Sequence, residues 1–250
     1  MTLADEYRRQ LPWRDWDRAL TALPELSGKL VLDLGCGVGD VTTRLCARGA
    51  RVIGFDLNEE LLASARASAI PGAEFRSADL AALEAPGIVA DGIWSSFTAA
   101  YFLDFSAVLL RWAELLRPGG FLALVEIDDL FAHEPLSQAT RSLLASYVAK
   151  AAAAKRYDFQ MGRKLAFHAE RAGFRVTHEQ TLNDLEFAFA GPAHPDVLVG
   201  WRTRLHRMKL LHEHCGSDFE RLENEFLSCL ASPQHRSLSQ VRYCIAQRVP

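Results

Sequence analysis

The stretch VLDLGCGVGD, residues 31–40, combines glycines with a carboxylate in a pattern that suits a bound nucleoside. Gly35, Gly37 and Gly39 follow a run of strand-forming residues, and Asp33 lies shortly before the first of them. Glycine has no Cβ and tolerates left-handed dihedrals, so its backbone can approach a ligand closely. A carboxylate at this place would repel a pyrophosphate and attract an ammonium or sulfonium group.

A dinucleotide site is an alternative for the same glycines. The dinucleotide pattern is G-x-G-x-x-G, followed by an acid that binds the ribose hydroxyls, and Asp56 could serve in either kind of site. Asp40, however, stands where the third glycine of that pattern belongs. The spacing therefore disfavours a nicotinamide-dependent oxidoreductase.

The elements that must position these residues are those of an α/β sheet. Short apolar runs alternate with helical patterns, which is typical of a parallel sheet covered by helices on both faces. We predict strands over residues 29–34, 51–56, 73–78, 91–97 and 121–127, and two late strands over 175–182 and 240–249. We predict helices over residues 58–68, 104–120 and about 137–155, and helical patterns near 196–214 and 218–230.

The length and apolar content of the chain favour one domain. The stretch between the two late strands is too long for a hairpin loop and is interpreted as an inserted helical lid. We predict a single domain over residues 1–250, with a core of residues 25–128, 172–183 and 237–250 and lid or substrate segments of residues 129–165 and 184–236.

Composition and charge exclude several kinds of partner. The 28 basic and 31 acidic side chains give a formal net charge of −3 and are interspersed, so we expect no nucleic-acid partner. The apolar runs are too short to span a membrane and the first residues too charged for a signal peptide. Cysteines without a CxxC pair suit a reducing, cytoplasmic location. The stretch HEHC, residues 212–215, lacks a second ligand pair, so we expect no metal.

Four motifs in register make the chain similar to the class I S-adenosylmethionine-dependent methyltransferases, in the small-molecule branch that resembles ubiquinone-biosynthesis enzymes and methyltransferase types 11 and 25. They are LDLGCGVG in the first strand, GFDLNEELL after the second, RSADL after the third and LRPGG before the fifth, within residues 29–127. The resemblance implies a doubly wound, Rossmann-like sheet of seven mostly parallel strands with an antiparallel strand 7. It also implies S-adenosylmethionine as cofactor and S-adenosylhomocysteine as product.

The resemblance further assigns cofactor-binding roles. Gly35, Cys36 and Gly37 would line the methionine and ribose, with Asp33 near the amino group. Asp56 would accept hydrogen bonds from the ribose hydroxyls. The adenine would be flanked by Leu57 and Asn58 and contacted by Asp79 and Leu80, and the methionine would be bordered by Ser95, Ser96 and Phe97. For Asp79, capping of the following helix is an alternative role.

Methyl transfer is an in-line displacement that depends mainly on positioning, and it needs a base only when the acceptor atom carries a proton. His133, which follows the fifth strand, is the candidate base, and a plain loop position is the alternative. The predicted substrate-binding residues are Tyr101, Phe131, Tyr157, Arg163 and Trp201, although aromatic residues at helical spacing are often core. Arg163 would hold a substrate carboxylate or pair with Asp158.

The predicted function is transfer of a methyl group from S-adenosylmethionine to nitrogen or oxygen of a small metabolite. Methylation of RNA or protein is an alternative, disfavoured because SSFTAAYF follows the fourth strand where enzymes that methylate amino groups of adenine or glutamine carry Asn/Asp-Pro-Pro-Tyr. A non-catalytic nucleoside-binding module is another alternative, because a fold does not fix a function. A homodimer is left open.

Overall fold

A computed structural model describes residues 2–249, and its apolar runs form the strands of one seven-stranded sheet. The strands of the chain are β1 (Leu30–Leu34), β2 (Arg51–Asp56), β3 (Ala73–Ser77), β4 (Ala90–Ser96), β5 (Leu116–Asp128), β6 (His133–Glu134), β7 (Phe174–Leu182), β8 (Arg236–Ser237) and β9 (Gln240–Arg248). The sheet order is β3-β2-β1-β4-β5-β9-β7, and β9 runs antiparallel to both of its neighbours. The predicted fold class is confirmed.

Ten helices connect and cover the strands within residues 2–249. They are α1 (Leu3–Gln10), α2 (Trp16–Thr21), α3 (Asp40–Ala47), α4 (Glu59–Ala67), α5 (Phe105–Glu114), α6 (Gln138–Ala153), α7 (Leu165–Arg171), α8 (Pro195–Arg207), α9 (Lys209–Cys215) and α10 (Phe219–Leu230). Short 3-10 turns lie at Leu11–Trp13, Leu80–Ala82, Ala99–Tyr101, Gly162–Lys164 and Gly216–Asp218. None of these helices is long and apolar enough to cross a membrane.

The α5–β5 connection differs from the prediction. The helix predicted within residues 104–120, with Pro118-Gly119-Gly120 as its stop, ends at Glu114, and β5 begins at Leu116, so that the Pro-Gly-Gly segment lies inside the strand. Leu116 pairs with Ala90, and the register then shifts before Gly92 pairs with Phe121. A bulged strand start tolerates proline, because the ladder does not need its missing N–H there.

Each face of the sheet is buried against its own aromatic core. On one face Trp94 contacts Trp16 of α2 and Tyr243 of β9, with ring centroids 5.8 Å apart in both pairs. On the other face Trp112 of α5 is fully buried, and its indole N–H donates to the Leu80 carbonyl over 2.9 Å. Burial on both faces explains why the strands are continuously apolar.

Residues 183–239, between β7 and β9, carry α8, α9 and α10 and pack onto the sheet through an aromatic cluster. The rings of Phe131, Tyr147, Phe159, Trp201 and Phe226 form this cluster. A two-stranded ribbon of β6 and β8 also joins this region to the residues after β5. These strands have two residues each, too few for a periodic sequence pattern.

Candidate active site

The glycine-rich loop lies where the carboxyl ends of β1 and β2 meet. Gly35 and Gly37 have left-handed φ angles of 84° and 53°. A Cβ on Gly35 would lie 2.2 Å from the Thr98 hydroxyl oxygen, and one on Gly37 would lie 3.3 Å from the Tyr7 ring. Both positions therefore require glycine, and the loop is enclosed by the turn after β4 and by α1.

Asp56, at the end of β2, binds the backbone on both sides of the loop. One carboxylate oxygen accepts the Gly37 N–H and the other accepts the Asn58 N–H, each over 2.9 Å. A carboxylate oxygen can accept more than one hydrogen bond. Asp56 thus keeps acceptor capacity for a pair of hydroxyls while its position is fixed.

Some of the predicted adenine-binding residues have side chains that can contact a ligand, and others have side chains that are buried or cap a helix. Leu57 is 70% exposed, an unusual position for leucine that suits an apolar ring face. The Asn58 side chain caps α4 by accepting the Leu61 N–H over 3.1 Å. Asp79 is exposed and accepts the Ala81 N–H over 2.9 Å, so it has the alternative capping role and can still face a ligand. Leu80 is buried.

Asp33 and Cys36 lie beneath the loop and are nearly inaccessible. Asp33 accepts a hydrogen bond from the Thr42 hydroxyl over 2.6 Å, and burial raises its pKa to about 7. The Cys36 thiol points toward Gly54, on which a Cβ would lie 2.9 Å from its sulfur. Asp33 ties the loop to α3, and Cys36 offers a ligand only its backbone.

The end of β4 borders both the loop and the lid. The Ser95 hydroxyl donates to the Leu34 carbonyl over 2.7 Å, and the Ser96 hydroxyl accepts the Trp94 indole N–H over 3.3 Å. Phe97 has a left-handed φ of 53° and packs between Trp16 and Phe187, with ring centroids 5.8 and 6.0 Å away. That strained backbone directs the chain from the strand into the Ala99–Tyr101 turn.

Three phenols and two guanidiniums converge on the side of the loop that faces α8. The Tyr101 and Tyr157 rings meet edge to face at 4.9 Å. Desolvation by surrounding groups raises the pKa of Tyr7, Tyr101 and Tyr157, although Tyr101 is 65% exposed, and the positive charge of Arg204 lowers the pKa in each case. Arg207 acts in the same way on Tyr7 and Tyr101. Arg204 is thus within electrostatic reach of all three phenols and Arg207 of two of them, and we call these five side chains the acceptor wall, after the role proposed for them below.

A buried ionic cluster supports the acceptor wall from behind. Arg204 donates twice to one oxygen of Glu186, over 2.7 and 3.2 Å, while Arg14 contacts the other oxygen at 2.5 Å and also binds Asp184. Phe187 lies under both guanidiniums, 4.5 and 4.9 Å from their carbons. Burial raises the pKa of Glu186, but Arg204 and Arg14 outweigh it, so the pKa lies below its ordinary value. The cluster pairs two acids, Asp184 and Glu186, with two bases, Arg14 and Arg204.

The surroundings of His133 do not suit a general base. Its side chain is 2% exposed, its ring stacks on His235, and its Nδ1 lies 3.0 Å from Nε2 of that residue. Trp201 and Phe226 cover its edges, and burial lowers its pKa to about 3. His133 is a buried, neutral side chain packed against residues of the β7–β9 connection, and we do not propose it as the base.

Three of the predicted substrate-binding residues have structural partners instead. Phe131 and Trp201 lie in the aromatic cluster at 6% and 0% exposure, and the Trp201 indole N–H donates to the Glu186 carbonyl over 2.9 Å. Arg163 pairs with Asp128 over 2.7 Å and not with Asp158, which Lys164 binds at 2.6 Å. Tyr101 and Tyr157 alone of the predicted set lie together on the acceptor wall.

Sequence reasoning missed Tyr7, Arg14, Glu186 and the individual roles of Arg204 and Arg207. The basic run after Trp201 has two interpretations, a solvated helix face or a patch that attracts an anionic substrate, and Arg202 fits the first with a side chain that is 63% exposed. Arg204 follows Trp201 by three residues and lies at the edge of its buried face, whereas Arg207 is exposed. That spacing was the available signal. No signal in the sequence pairs Arg14 with Glu186.

The loop region fits S-adenosylmethionine chemically. Asp56 has spare acceptor capacity for the ribose diol, and Leu57 offers an apolar face for adenine. Among residues 2–249 no group of three histidine, cysteine or carboxylate side chains is arranged to hold a metal ion. The chemistry of the donors therefore matches an organic cofactor with hydroxyl and cationic groups.

Comparison with known proteins identifies the family. Residues 31–120 match a family model described as a methyltransferase domain. The trans-aconitate 2-methyltransferase of an Azoarcus species is 35% identical over 176 residues, 66% of this chain and 67% of the relative. That of Methylobacterium radiotolerans is 37% identical over 129 residues, 51% of this chain and 48% of the relative, so the chain spans about half the length of this second relative.

A solved structure shows the same fold over nearly the whole chain. The S-adenosylmethionine-dependent methyltransferase of Mesorhizobium loti has a TM-score of 0.56 and 23% identity, with 94% of this chain and 97% of the other covered. The family match and the sheet order both indicate a methyltransferase, so the dinucleotide alternative is excluded. The chain belongs to the class I S-adenosylmethionine-dependent methyltransferases, and S-adenosylmethionine is its cofactor.

Proposed function

We propose that the enzyme methylates a carboxylate oxygen of a small anionic metabolite. The observation that carries this proposal is the acceptor wall, where Arg204 lies within electrostatic reach of three phenol hydroxyls and Arg207 of two of them. Guanidinium and phenol groups are donors that recognise carboxylates. Relatives named trans-aconitate 2-methyltransferases support the same substrate class, because trans-aconitate is a polycarboxylate.

A carboxylate acceptor suits a site that offers no accessible histidine. Carboxylic acids ionise near pH 4, so the acceptor is already deprotonated at neutral pH and needs no base. His133, the sequence-derived candidate for a base, is buried and neutral. The site has to orient and desolvate the acceptor rather than remove a proton from it.

When bound, S-adenosylmethionine supplies a methyl group activated by its sulfonium, and transfer to the carboxylate leaves S-adenosylhomocysteine and a methyl ester. The residues of this chain contribute by positioning the cofactor and the acceptor. Asp56 would hold the ribose, and Arg204 and Arg207 would hold the acceptor so that one oxygen faces the methyl carbon. Phe97 and the lid would exclude water, which strengthens the interaction between guanidinium and carboxylate. The predicted roles of Gly35, Gly37, Leu57 and Asp79 belong to the same proposal.

The first experiment identifies the acceptor class. Purified enzyme with methyl-labelled cofactor is offered trans-aconitate and other mono-, di- and tricarboxylates, then amines, phenols, RNA and protein. We expect label in a di- or tricarboxylate, released as volatile methanol by mild base, because methyl esters hydrolyse where methylamines and aryl ethers do not. Base-stable label in an amine, or label in RNA or protein, would overturn the proposal.

A second experiment tests the arginines with a control from the same helix. Arg207→Gln should raise the acceptor KM at least tenfold, since a hydrogen bond to a charged group contributes about 1.5–3 kcal/mol. Arg202→Gln is the matched control, because Arg202 is exposed on α8 and contacts Glu223. Its acceptor KM should stay within twofold of wild type. Equal behaviour of the two variants would exclude Arg207 from substrate binding.

Other expectations from the sequence stay predictions. They are a cytoplasmic location, the absence of a nucleic-acid partner and the open question of a homodimer. Size-exclusion chromatography with light scattering determines the oligomeric state. The same acceptor screen includes RNA and thereby tests the second expectation.

A further inference from the structure

Glu126, near the carboxyl end of β5, is a buried acid with no basic partner. Its exposure is 0%, and among residues 2–249 no arginine, lysine or histidine lies within ion-pair distance of its carboxylate. Arg242 stands opposite it in the β5–β9 register without pairing with it. Burial raises the pKa of Glu126 to about 7. An unpaired buried carboxylate is costly, so its hydrogen bonds define what it does.

One of those hydrogen bonds goes to the backbone of the turn that carries Tyr101, and the other stays within β5. One carboxylate oxygen accepts the Ala100 N–H over 3.2 Å, and the other accepts the N–H of Ile127 over 2.9 Å. Ala100 lies in the Ala99–Tyr101 turn, directly after β4. Glu126 therefore fastens this turn to β5 at a point next to Tyr101.

The same turn also fixes the second tyrosine. The Ala100 carbonyl accepts the N–H of Asp158 over 2.9 Å, and Asp158 adjoins Tyr157. The positions of the two phenol rings, 4.9 Å apart, thus both depend on one residue, Ala100, whose N–H is bound by Glu126. On the other side of the turn, Thr98 abuts Gly35 of the cofactor loop.

We propose that Glu126 is a positioning residue for methyl transfer, which fixes the Ala99–Tyr101 turn so that Tyr101 and Tyr157 hold the acceptor against the cofactor. This inference rests on the proposed location of the acceptor at the acceptor wall. It does not depend on whether the methylated atom is a carboxylate oxygen. Glu126 acts through other residues and does not touch the acceptor, because it is sealed from solvent.

The test compares Glu126→Gln with Asp128→Asn. Asp128 is a second buried acid on the same side of β5, but it pairs with Arg163 and not with the turn. A glutamine side chain presents an NH₂ group to one of the two N–H donors, so Glu126→Gln should loosen the turn. We expect its acceptor KM to rise at least tenfold while the calorimetric Kd for S-adenosylmethionine stays within twofold. Asp128→Asn should leave both values within twofold.

A merely structural role gives a different result. It would lower the active fraction, so that kcat and the binding stoichiometry fall together while the acceptor KM stays unchanged, and this outcome would overturn the proposal. Should Glu126→Gln fold poorly, Glu126→Asp serves in its place, since the shorter side chain keeps the charge but reaches only one donor.

A double-mutant cycle with Tyr101→Phe and Tyr157→Phe provides an independent test. If Glu126 acts through the tyrosines, its substitution in that background should add less than twofold to the acceptor KM, because the effects of coupled residues are not additive. Full additivity would contradict the proposal. All assays use whichever acceptor the screen identifies. A wrong acceptor class therefore changes only the compound, whereas a wrong role for Glu126 makes its variant behave like Asp128→Asn.

Discussion

The cofactor loop and the acceptor wall are adjacent but are built in different ways. The loop depends on backbone: two left-handed glycines, and Asp56 holding the N–H groups of Gly37 and Asn58. The wall depends on side chains from distant segments, with Arg204 of α8 held through Glu186 to Arg14 near the start of the chain. A site made by local backbone geometry tolerates little change, whereas one made by long-range side-chain contacts can be altered residue by residue.

The largest expected effect is on cofactor affinity, from a substitution in the cofactor loop. Gly35→Ala should weaken S-adenosylmethionine binding about a hundredfold, because overpacking costs about 1–3 kcal/mol and a left-handed alanine adds about 1 kcal/mol. Gly28→Ala is the control, with a left-handed φ of 71° and nothing within 4 Å of the new Cβ. Titration calorimetry should show near-normal affinity for the control. Similar affinities in both variants would mean that the contact with Thr98 is unimportant.

The next largest effect is on stability, from a substitution in the buried ionic cluster that supports the acceptor wall. Glu186→Gln leaves two buried guanidiniums short of a partner and should lower the free energy of unfolding by about 3–5 kcal/mol. Glu74→Gln removes an exposed ion pair with Arg76 and should cost at most about 1 kcal/mol. Urea denaturation measures both. The folded Glu186 variant should still bind cofactor normally, and loss of that binding would show that the two regions are not separable.

A smaller effect concerns the pH dependence of stability, through the buried side chain of His133. The pKa of His133 is lowered to about 3 from 6.5, so the folded state binds fewer protons than the unfolded chain between these values. Its contribution to stability is complete above pH 6.5 and is lost as the pH falls toward 3. Between pH 6.5 and 5 the loss amounts to about 2 kcal/mol.

The His133→Asn variant should therefore lose less stability over that interval than wild type. His194→Asn, at an exposed position, should behave like wild type. Asp33 and Glu126, whose pKa values are raised to about 7, contribute in the opposite sense: their contribution grows as the pH falls from 7 to 4. They are present in every variant and cancel in the comparison. If His133→Asn loses as much stability as wild type between pH 6.5 and 5, protonation of His133 does not cause the loss of stability in acid.

The smallest effect refines the boundary of the loop. Leu57→Ala should weaken S-adenosylmethionine binding about fivefold, as expected for the loss of about 1 kcal/mol of apolar contact. Leu110→Ala, on the exposed surface of α5, is the control and should leave the affinity unchanged. No change for Leu57→Ala would place the adenine elsewhere.

The same contrast explains what the sequence could predict. Strands over residues 51–56 and 73–78, the Asn58 cap and the glycine turn depend on near neighbours, and periodicity and residue type indicate them directly. The start of β5 escaped prediction because a bulge, which depends on β4, admits Pro118 into a strand. The burial of His133 could not be predicted, because its neighbours Trp201, Phe226 and His235 lie far along the chain. Burial by residues that are distant in the sequence produces no local sequence pattern.

The position of β9 has a consequence for folding. This strand pairs Phe121 with Gln247 on one side and Leu182 with Val241 on the other, so it fills the gap between β5 and β7. Until it inserts, both of those strands have unpaired edges, and unpaired edges promote association between chains. Closing the sheet also requires the helices of residues 183–239 to be folded back first or simultaneously, which makes insertion a slow, long-range step. Mutations that weaken β9 should therefore reduce the yield of folded protein more than its activity.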